Sequence, residues 1–274
     1  MKTIAVLMTV HNRKEKTLRC LASLYGQKYN MSNYCLDVYL TDDGCTDGTP
    51  DAIRQTFPDV HIVEGDGSLF WNGGMRRAWI EAAKGAYDYY LWLNDDTFLY
   101  DDALQKILDS SSSYNDKALL VGSTCSPDDH SVITYGGWTK DGLCKDTSVA
   151  IRCRTLNGNV VLVPKYVFDI LGFNTTIFTH CGGDIDYGLR ANENGIEVWT
   201  VPGIVGECAQ HDTMPVWKDP AQPLSKRWKN FFSPLGANPF EFFRFRKYHY
   251  GLLPACRTFI TNFIHVLFPQ LWRQ

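Results

Sequence analysis

Two pairs of adjacent carboxylates, Asp42-Asp43 in "YLTDDG" and Asp95-Asp96 in "LWLNDDTF", each follow an apolar run. Side by side at the end of a buried strand, two carboxylates repel each other and lose water, so a compensating cation is the first thing such a place calls for. A strand-end turn in which Asp caps the next helix is the plainer reading of a pair taken alone. Four carboxylates at neighbouring strand mouths instead suit a hard divalent ion. Mg2+ or Mn2+ takes one or two of them and completes its shell with the oxygens of a nucleotide diphosphate.

The elements that would position these acids alternate. "TIAVLMT" (3–9) reads as a buried strand, and "EKTLRCLASLYGQ" follows as a helix with Leu18, Leu21, Ala22 and Tyr25 on one face. "LDVYLTDDG" (36–44) and "VHIVEG" (60–65) are strands around a short helix that starts near Pro50. "MRRAWIEAAKG" is a helix stopped by Gly85, and "YDYYLWLNDD" a fourth strand. Strand-helix alternation predicts a mostly parallel sheet with ligands beyond the carboxyl ends of its strands, where Thr9 to Arg13, Asp42-Asp43 and Asp95-Asp96 all fall. Neither a G-x-G-x-x-G after the first strand nor a G-x-x-x-x-G-K-[ST] occurs, so a dinucleotide fold and a P-loop are unsupported. Further on, "KALLVGST", "SVITYGGW" and "IEVWTVPG" read as strands, "GNVVLVPKYVFDIL" as a strand running into a helix, and "CGGDIDYGLRANENG" as a loop opening a helix with Ile185 and Leu189 on one face.

Within "FWNGGMRRA", Gly73 and Gly74 permit close backbone approach at a helix start, where free N–H groups and Arg76 or Arg77 could meet a diphosphate; a loop with a solvated basic pair fits equally. Trp71 could stack on a sugar or base, although an ordinary core tryptophan is the better single reading.

The 274 residues, 45% apolar, suffice for one large α/β domain plus an appendage. Nine cysteines without a C-x-x-C pair argue for reduced thiols in a cytosolic protein. "MKTIAVLMTV" is too short an apolar run for a signal segment, and "GLLPACRTFITNFIHVLF" is too interrupted to span a bilayer. The net charge of −3 hides a division: residues 217–274 carry nine Lys/Arg against two acids and 14 of the 37 aromatic residues, leaving the rest of the chain at −10. In that tail Cys256, Phe259, Ile260, Phe263 and Leu267 form the stripe of an amphipathic helix, suited to covering the catalytic domain, to a homodimer contact or to an anionic membrane surface. Nucleic acid is disfavoured, because the acidic body would repel its phosphates.

"VLMTVHNR", "YLTDDGCTDGT", "WLNDDTF" and "GGDIDYGLR", in that order, resemble an inverting family 2 glycosyltransferase of the GT-A nucleotide-diphospho-sugar transferase fold, in the branch with bacterial rhamnosyl- and galactofuranosyltransferase-like enzymes. The resemblance spans roughly residues 3–212. It implies an α/β catalytic domain at 1–216, with a nucleotide-binding half (1–100), an acceptor-binding half (101–216) and a helical, aromatic and basic extension at 217–274. It assigns Thr9, His11, Arg13, Asp42, Asp43, Trp71, Gly74, Arg76 and Asp95 to a UDP- or dTDP-linked donor, Asp96 and His211 to Mn2+ or Mg2+, and Asp184 to the general base. His211 is also readable as a surface or core-edge histidine. Gly183 stands where the family usually has Glu, leaving Asp186 as the candidate for a supporting carboxylate. The implied reaction moves a sugar to a glycan or lipid-linked acceptor for bacterial surface polysaccharide, in the cytoplasm or at the inner face of the membrane. A sugar-nucleotide nucleotidyltransferase is the alternative enzyme, although "TVHNRKEK" lacks its glycines; a non-catalytic nucleotide- or carbohydrate-binding module is the alternative outside enzymes.

Overall fold

A computed structural model describes residues 1–29, 33–210 and 214–271. In chain order the strands are β1 (Lys2–Val10), β2 (Tyr34–Asp42), β3 (His61–Glu64), β4 (Tyr89–Leu93), β5 (Phe98–Leu99), β6 (Leu119–Cys125), β7 (Ile133–Tyr135), β8 (Gly137–Thr139), β9 (Gly142–Leu143), β10 (Arg152–Cys153), β11 (Thr155–Leu156), β12 (Val160–Pro164) and β13 (Val198–Glu207). The helices are α1 (Lys14–Tyr25), α2 (Thr49–Thr56), α3 (Phe70–Ala82), α4 (Ala103–Ser113), α5 (Lys165–Leu171), α6 (Gly183–Glu193), α7 (Leu224–Phe231), α8 (Pro239–Tyr250) and α9 (Leu252–Leu267). Contacts divide the chain into two units, 1–174 with 184–210, and 175–183 with 211–274.

The first unit is built on one sheet in the order β10-β13-β6-β12-β4-β1-β2-β3. β3, β2, β1 and β4 are mutually parallel, and β12 is antiparallel to both β4 and β6. β1 is buried on both faces, as a strand covered by helices on each side must be. Ile4, Val6 and Met8 pack with Leu21, Leu24 and Ile107 on one face, while Ala5 and Leu7 pack with Met75, Ala78 and Trp79 on the other.

Two expected helix faces are rotated, and one helix starts earlier than expected. On α1 the buried residues are Thr17, Cys20, Leu21 and Leu24, and Tyr25 lies at the edge, stacked on Phe57. The face turned because two small polar groups find partners inside: Thr17 Oγ1 donates to Arg13 O at 2.9 Å and the Cys20 thiol to Asn94 O at 3.3 Å. On α6, Ile185 is exposed while Tyr187 and Ala191 are buried. α3 starts at Phe70, so Gly73 and Gly74 lie within the helix, and the Gly73 amide already donates to Leu69 O. That finding corrects the picture of free N–H groups at a glycine-rich opening. Gly74 is needed for packing, since a Cβ there would overlap Thr9 Oγ1 on β1. Buried Asp186 is paired within its own helix: its Oδ2 accepts from Arg190 Nε at 2.8 Å, and Arg190 in turn donates to Leu171 O and Phe173 O.

The second unit has its own small core of Trp217, Phe231, Ala237 and Val266, with Phe232, Phe242 and Phe263 against it. Buried Arg227 donates to Val266 O and Leu267 O, satisfying carbonyls at the end of α9. The expected stripe on α9 divides: Phe263 joins the core, whereas Ile260 and Leu267 face outward with Leu253 and Ile264. Ala255 and Val266 take the buried positions of the helix, Val266 within the aromatic core. Among the described residues no helix is long and apolar enough to cross a membrane.

Replacing Asp186 by Ala would strand Arg190 against two carbonyls without its anion. Breaking a buried pair from one side costs about 3 kcal/mol or more, so Asp186→Ala is expected to lower unfolding free energy by that amount in urea titrations. A loss under about 0.5 kcal/mol, the size of a surface change, would refute the assignment.

Candidate active site at the strand rim

Register brings the acids to one rim. Val10 pairs with Asp42 and Leu7 with Trp92, so the carboxyl ends of β1, β2 and β4 are neighbours. The antiparallel β12 pairs Val160 with Leu93, which puts the segment before it, Asn157 to Asn159, at the same rim.

The four strand-end carboxylates do not form one cage. Among the described residues no three or more His, Cys, Asp and Glu side chains are arranged to hold a metal ion. Asp43, almost fully buried, accepts three backbone amides: Gly67 N at 2.9 Å and Leu69 N at 3.2 Å on Oδ1, and Phe70 N at 2.9 Å on Oδ2. It thereby fastens the loop that opens α3. Asp42 Oδ1 accepts from Cys45 N at 2.8 Å. His11 Nδ1 lies 2.7 Å from Asp43 O, and Asn12, at φ 52°, takes Thr46 N on its Oδ1 at 2.7 Å. The loops after β1 and β2 are thus tied together.

The other pair has a cation of its own. Arg13 Nη1 lies 3.2 Å from Asp95 Oδ1 and 2.8 Å from Asp96 Oδ2. Asp95 and Asp96 are only 6% and 7% exposed, and Asp95 Oδ2 has no hydrogen-bond partner among the described residues. Burial pushes the Asp95 carboxyl up to about 7; Arg13 pulls it down and Asp96 pushes it further up. Asp96 Oδ1 faces the Cys208 thiol at 3.7 Å. Burial, then Asp96, pushes that thiol up to about 12, so Cys208 stays protonated and can donate.

A chain of contacts leads from this pair to Asp184. Asn94 Oδ1 accepts from Trp71 Nε1 at 2.7 Å. The Trp71 ring lies so close to Gly158 that a Cβ there would overlap it. Gly158 N then donates to Asp184 Oδ2 at 2.9 Å, while Ile185 N donates to Oδ1 at 2.8 Å. Trp71 is thus packed against the core and tied through its Nε1 to Asn94 beside the carboxylate pair. Arg76 belongs elsewhere: it donates to Asn174 O and stacks on Phe173, 5.2 Å from the ring centroid. Burial, then Arg190, lowers the pKa of its guanidinium. Thr41 Oγ1 donates to Gly74 O at 2.8 Å, so Gly74 and Thr9 meet at the seam between α3 and the sheet. His211 lies outside the described residues.

Sequence reasoning passed over Asn94, Gly158, Asn159 and Cys208. Asn159 Nδ2 reaches Cys208 Sγ at 3.4 Å and its carbonyl accepts Asn94 N at 3.0 Å, which locks the Asp95 turn. The available signal was "TLNGNVV", a polar Asn-Gly-Asn run immediately before an apolar strand.

The donor set fits a hard divalent ion. Two buried carboxylates, one with an unpartnered oxygen, offer what Mg2+ or Mn2+ takes from protein when phosphates supply the rest. In metal-free protein, Asp95 should dominate pH dependence. Its carboxyl rises from 3.8 to about 7 on folding, so between those values the folded state holds the extra proton. Stability from this group is full below pH 3.8 and lost as pH rises through about 7. The melting temperature of Asp95→Asn relative to wild type, measured in EDTA, should climb across that window; a constant difference would contradict the shift.

Residues 5–140 match the family model described as Glycosyl transferase family 2. No curated protein matches the chain. Among solved structures, the mannosyltransferase PcManGT from Pyrobaculum calidifontis, in complex with GDP-Man and Mn2+, is 16% identical at a TM-score of 0.58, covering 97% of this chain and 80% of that one. TarS of S. aureus is 12% identical at 0.60, covering 100% of this chain and 56% of that one, so this chain spans little more than half of it. A shorter TarS form is 11% identical at 0.57, covering 97% and 81%. Identities this low speak for the fold. Just under half of the chain thus matches the Glycosyl transferase family 2 model, in a fold like that of GT-A neighbours, and the family match supports a glycosyl-transfer role.

Proposed function

We propose that this chain is a metal-dependent inverting glycosyltransferase that moves a sugar from a nucleoside-diphosphate donor to a glycan or lipid-linked acceptor of bacterial surface polysaccharide. The observation that carries the reading is the buried Asp95-Asp96 pair at the same rim as Asp184, joined through Asn94, Trp71 and Gly158. GDP-Man and Mn2+ in the complex of PcManGT agree with a nucleotide-sugar donor and a divalent ion.

In this reading Asp184 takes the proton of the acceptor hydroxyl as its oxygen attacks the anomeric carbon. The bond to the diphosphate breaks on the opposite face, and no enzyme nucleophile intervenes. Two backbone amides hold the Asp184 carboxylate in one orientation, as positioning of a base requires. Asp95 and Asp96, with His211 as a further ligand, would hold Mn2+ or Mg2+, which supplies Lewis-acid stabilisation of the departing charge. Thr9, His11, Asp42 and Asp43 border the nucleoside. Asp43 contributes by shaping the 67–70 loop as much as by any direct contact. The bond of Arg76 to Asn174 O gives it at most an indirect part.

Asp184→Asn should keep nucleotide-sugar binding and lose about 10²–10⁴-fold in transfer rate, the usual worth of a general base. Asp96→Ala should lose Mn2+-dependent nucleotide binding in calorimetry. Wild-type turnover in Asp184→Asn would remove it from the base role.

The second unit is where a lipid-linked acceptor or its membrane would be met. Leu253, Ile260, Ile264 and Leu267 line the outer face of α9 and are 42–83% exposed. Lys226, Lys229, Arg244, Lys247 and Arg257 are exposed in the same unit. An apolar face amid positive charge suits an anionic bilayer, whereas a second copy would bring like charge to the same face. The protein should co-sediment with phosphatidylglycerol vesicles, more weakly in high salt, and Ile260→Asp with Ile264→Asp should release it. Equal binding to neutral vesicles, or a salt-insensitive dimer lost in that variant, would exclude this use.

A further inference from the structure

We propose that Arg13 is the resident countercation of the metal site, a stand-in that a divalent ion must displace and whose released guanidinium then pairs with the donor's diphosphate. The inference rests on the reading of Asp95 and Asp96 as metal ligands and concerns what occupies them before the metal arrives.

The bonds themselves are the first observation. A single nitrogen, Arg13 Nη1, reaches both carboxylates at 3.2 and 2.8 Å, the position a shared cation would take. Exposure is the second. The carboxylates are about 8% exposed in their side chains and Arg13 is 43% exposed, so the acids are fixed and the base can withdraw to water. The backbone is the third: Arg13 O accepts both Thr17 N and Thr17 Oγ1 at 2.9 Å, which pins the residue at the head of α1 and leaves only the side chain to move.

Charge decides whether Arg13 could serve unaided. One guanidinium faces two carboxylates, so with both ionised the trio is anionic even before a diphosphate approaches. A diphosphate would add at least two negative charges, and one positive charge cannot bridge both groups. A divalent ion can, and it leaves Arg13 free to meet the phosphates through the Nε and Nη2 groups that the carboxylates do not use. Metal and donor then help each other bind, because each relieves a cost the other imposes. That coupling must be reciprocal.

The test measures Mn2+ affinity by electron paramagnetic resonance on the full chain, with and without UDP, dTDP or GDP. Arg13→Gln should bind Mn2+ alone about tenfold more tightly than wild type, within the usual range of such couplings. Adding the nucleotide should tighten Mn2+ binding more in wild type than in Arg13→Gln. Arg13→Lys, which keeps a cation, should stay close to wild type in Mn2+ affinity without nucleotide. In EDTA, Arg13→Gln should melt below wild type, and Mn2+ should raise its melting temperature by more. Mn2+ affinity in Arg13→Gln equal to or weaker than wild type overturns the stand-in while leaving the metal site intact. No Mn2+ binding in any variant with any of the three nucleotides overturns the metal reading together with it.

Discussion

Asp95 and Asp96 are adjacent, nearly out of water and at the end of a strand buried along its whole length. Such a pair is tolerable only if positive charge or donors come to it, and the surroundings are arranged to bring them. α1 begins where it does so that Arg13 projects over both carboxylates. The buried thiol of Cys208 approaches Asp96, and that of Cys20 takes the carbonyl of Asn94, so the turn is lined with groups that donate without adding negative charge. Burial raises both thiols far enough to keep them protonated; thiolates here would deepen the repulsion.

The sheet explains why chemistry collects at this rim. Parallel β2, β1 and β4 deliver three loops side by side, which is the general reason ligands bind beyond the carboxyl ends of such strands. Antiparallel β12 then delivers the start of a strand to the same place. Its Gly158 has no side chain, so the indole of Trp71 can lie against it and its amide can reach Asp184. A parallel fifth strand would have brought its carboxyl end instead. The reversal at β12 is what links the first three motifs to the fourth.

Much of this was legible in the chain. Apolar runs of strand length separated by helical periodicity gave the βαβ order, and paired acids after those runs marked the rim, because burial and charge leave opposite signatures at a strand end. Less legible were the helix faces. Thr17 and Cys20 displaced larger apolar residues from the inner side of α1 through hydrogen bonds that residue type alone does not announce. α4 escaped notice because "DSSSS" disguises a face of Ala103, Leu104, Ile107, Leu108 and Ser111. The links through Gly158 and Cys208 join residues far apart in sequence, which periodicity cannot reveal.

Residues of one type divide here by their partners. Asp43 gives both oxygens to the amides of the 67–70 loop, and Asp186 is committed to Arg190; each is a fastening, and its charge is answered where it stands. Asp184 is held by two amides at the head of α6. Asp95 alone among these keeps a buried oxygen with no partner among the described residues. A structural carboxylate would be stabilised by a second donor at that atom. Leaving it bare costs folding energy at neutral pH and is of use only if something from outside completes the shell. The acids that build the site are thus distinct from the pair that awaits a ligand.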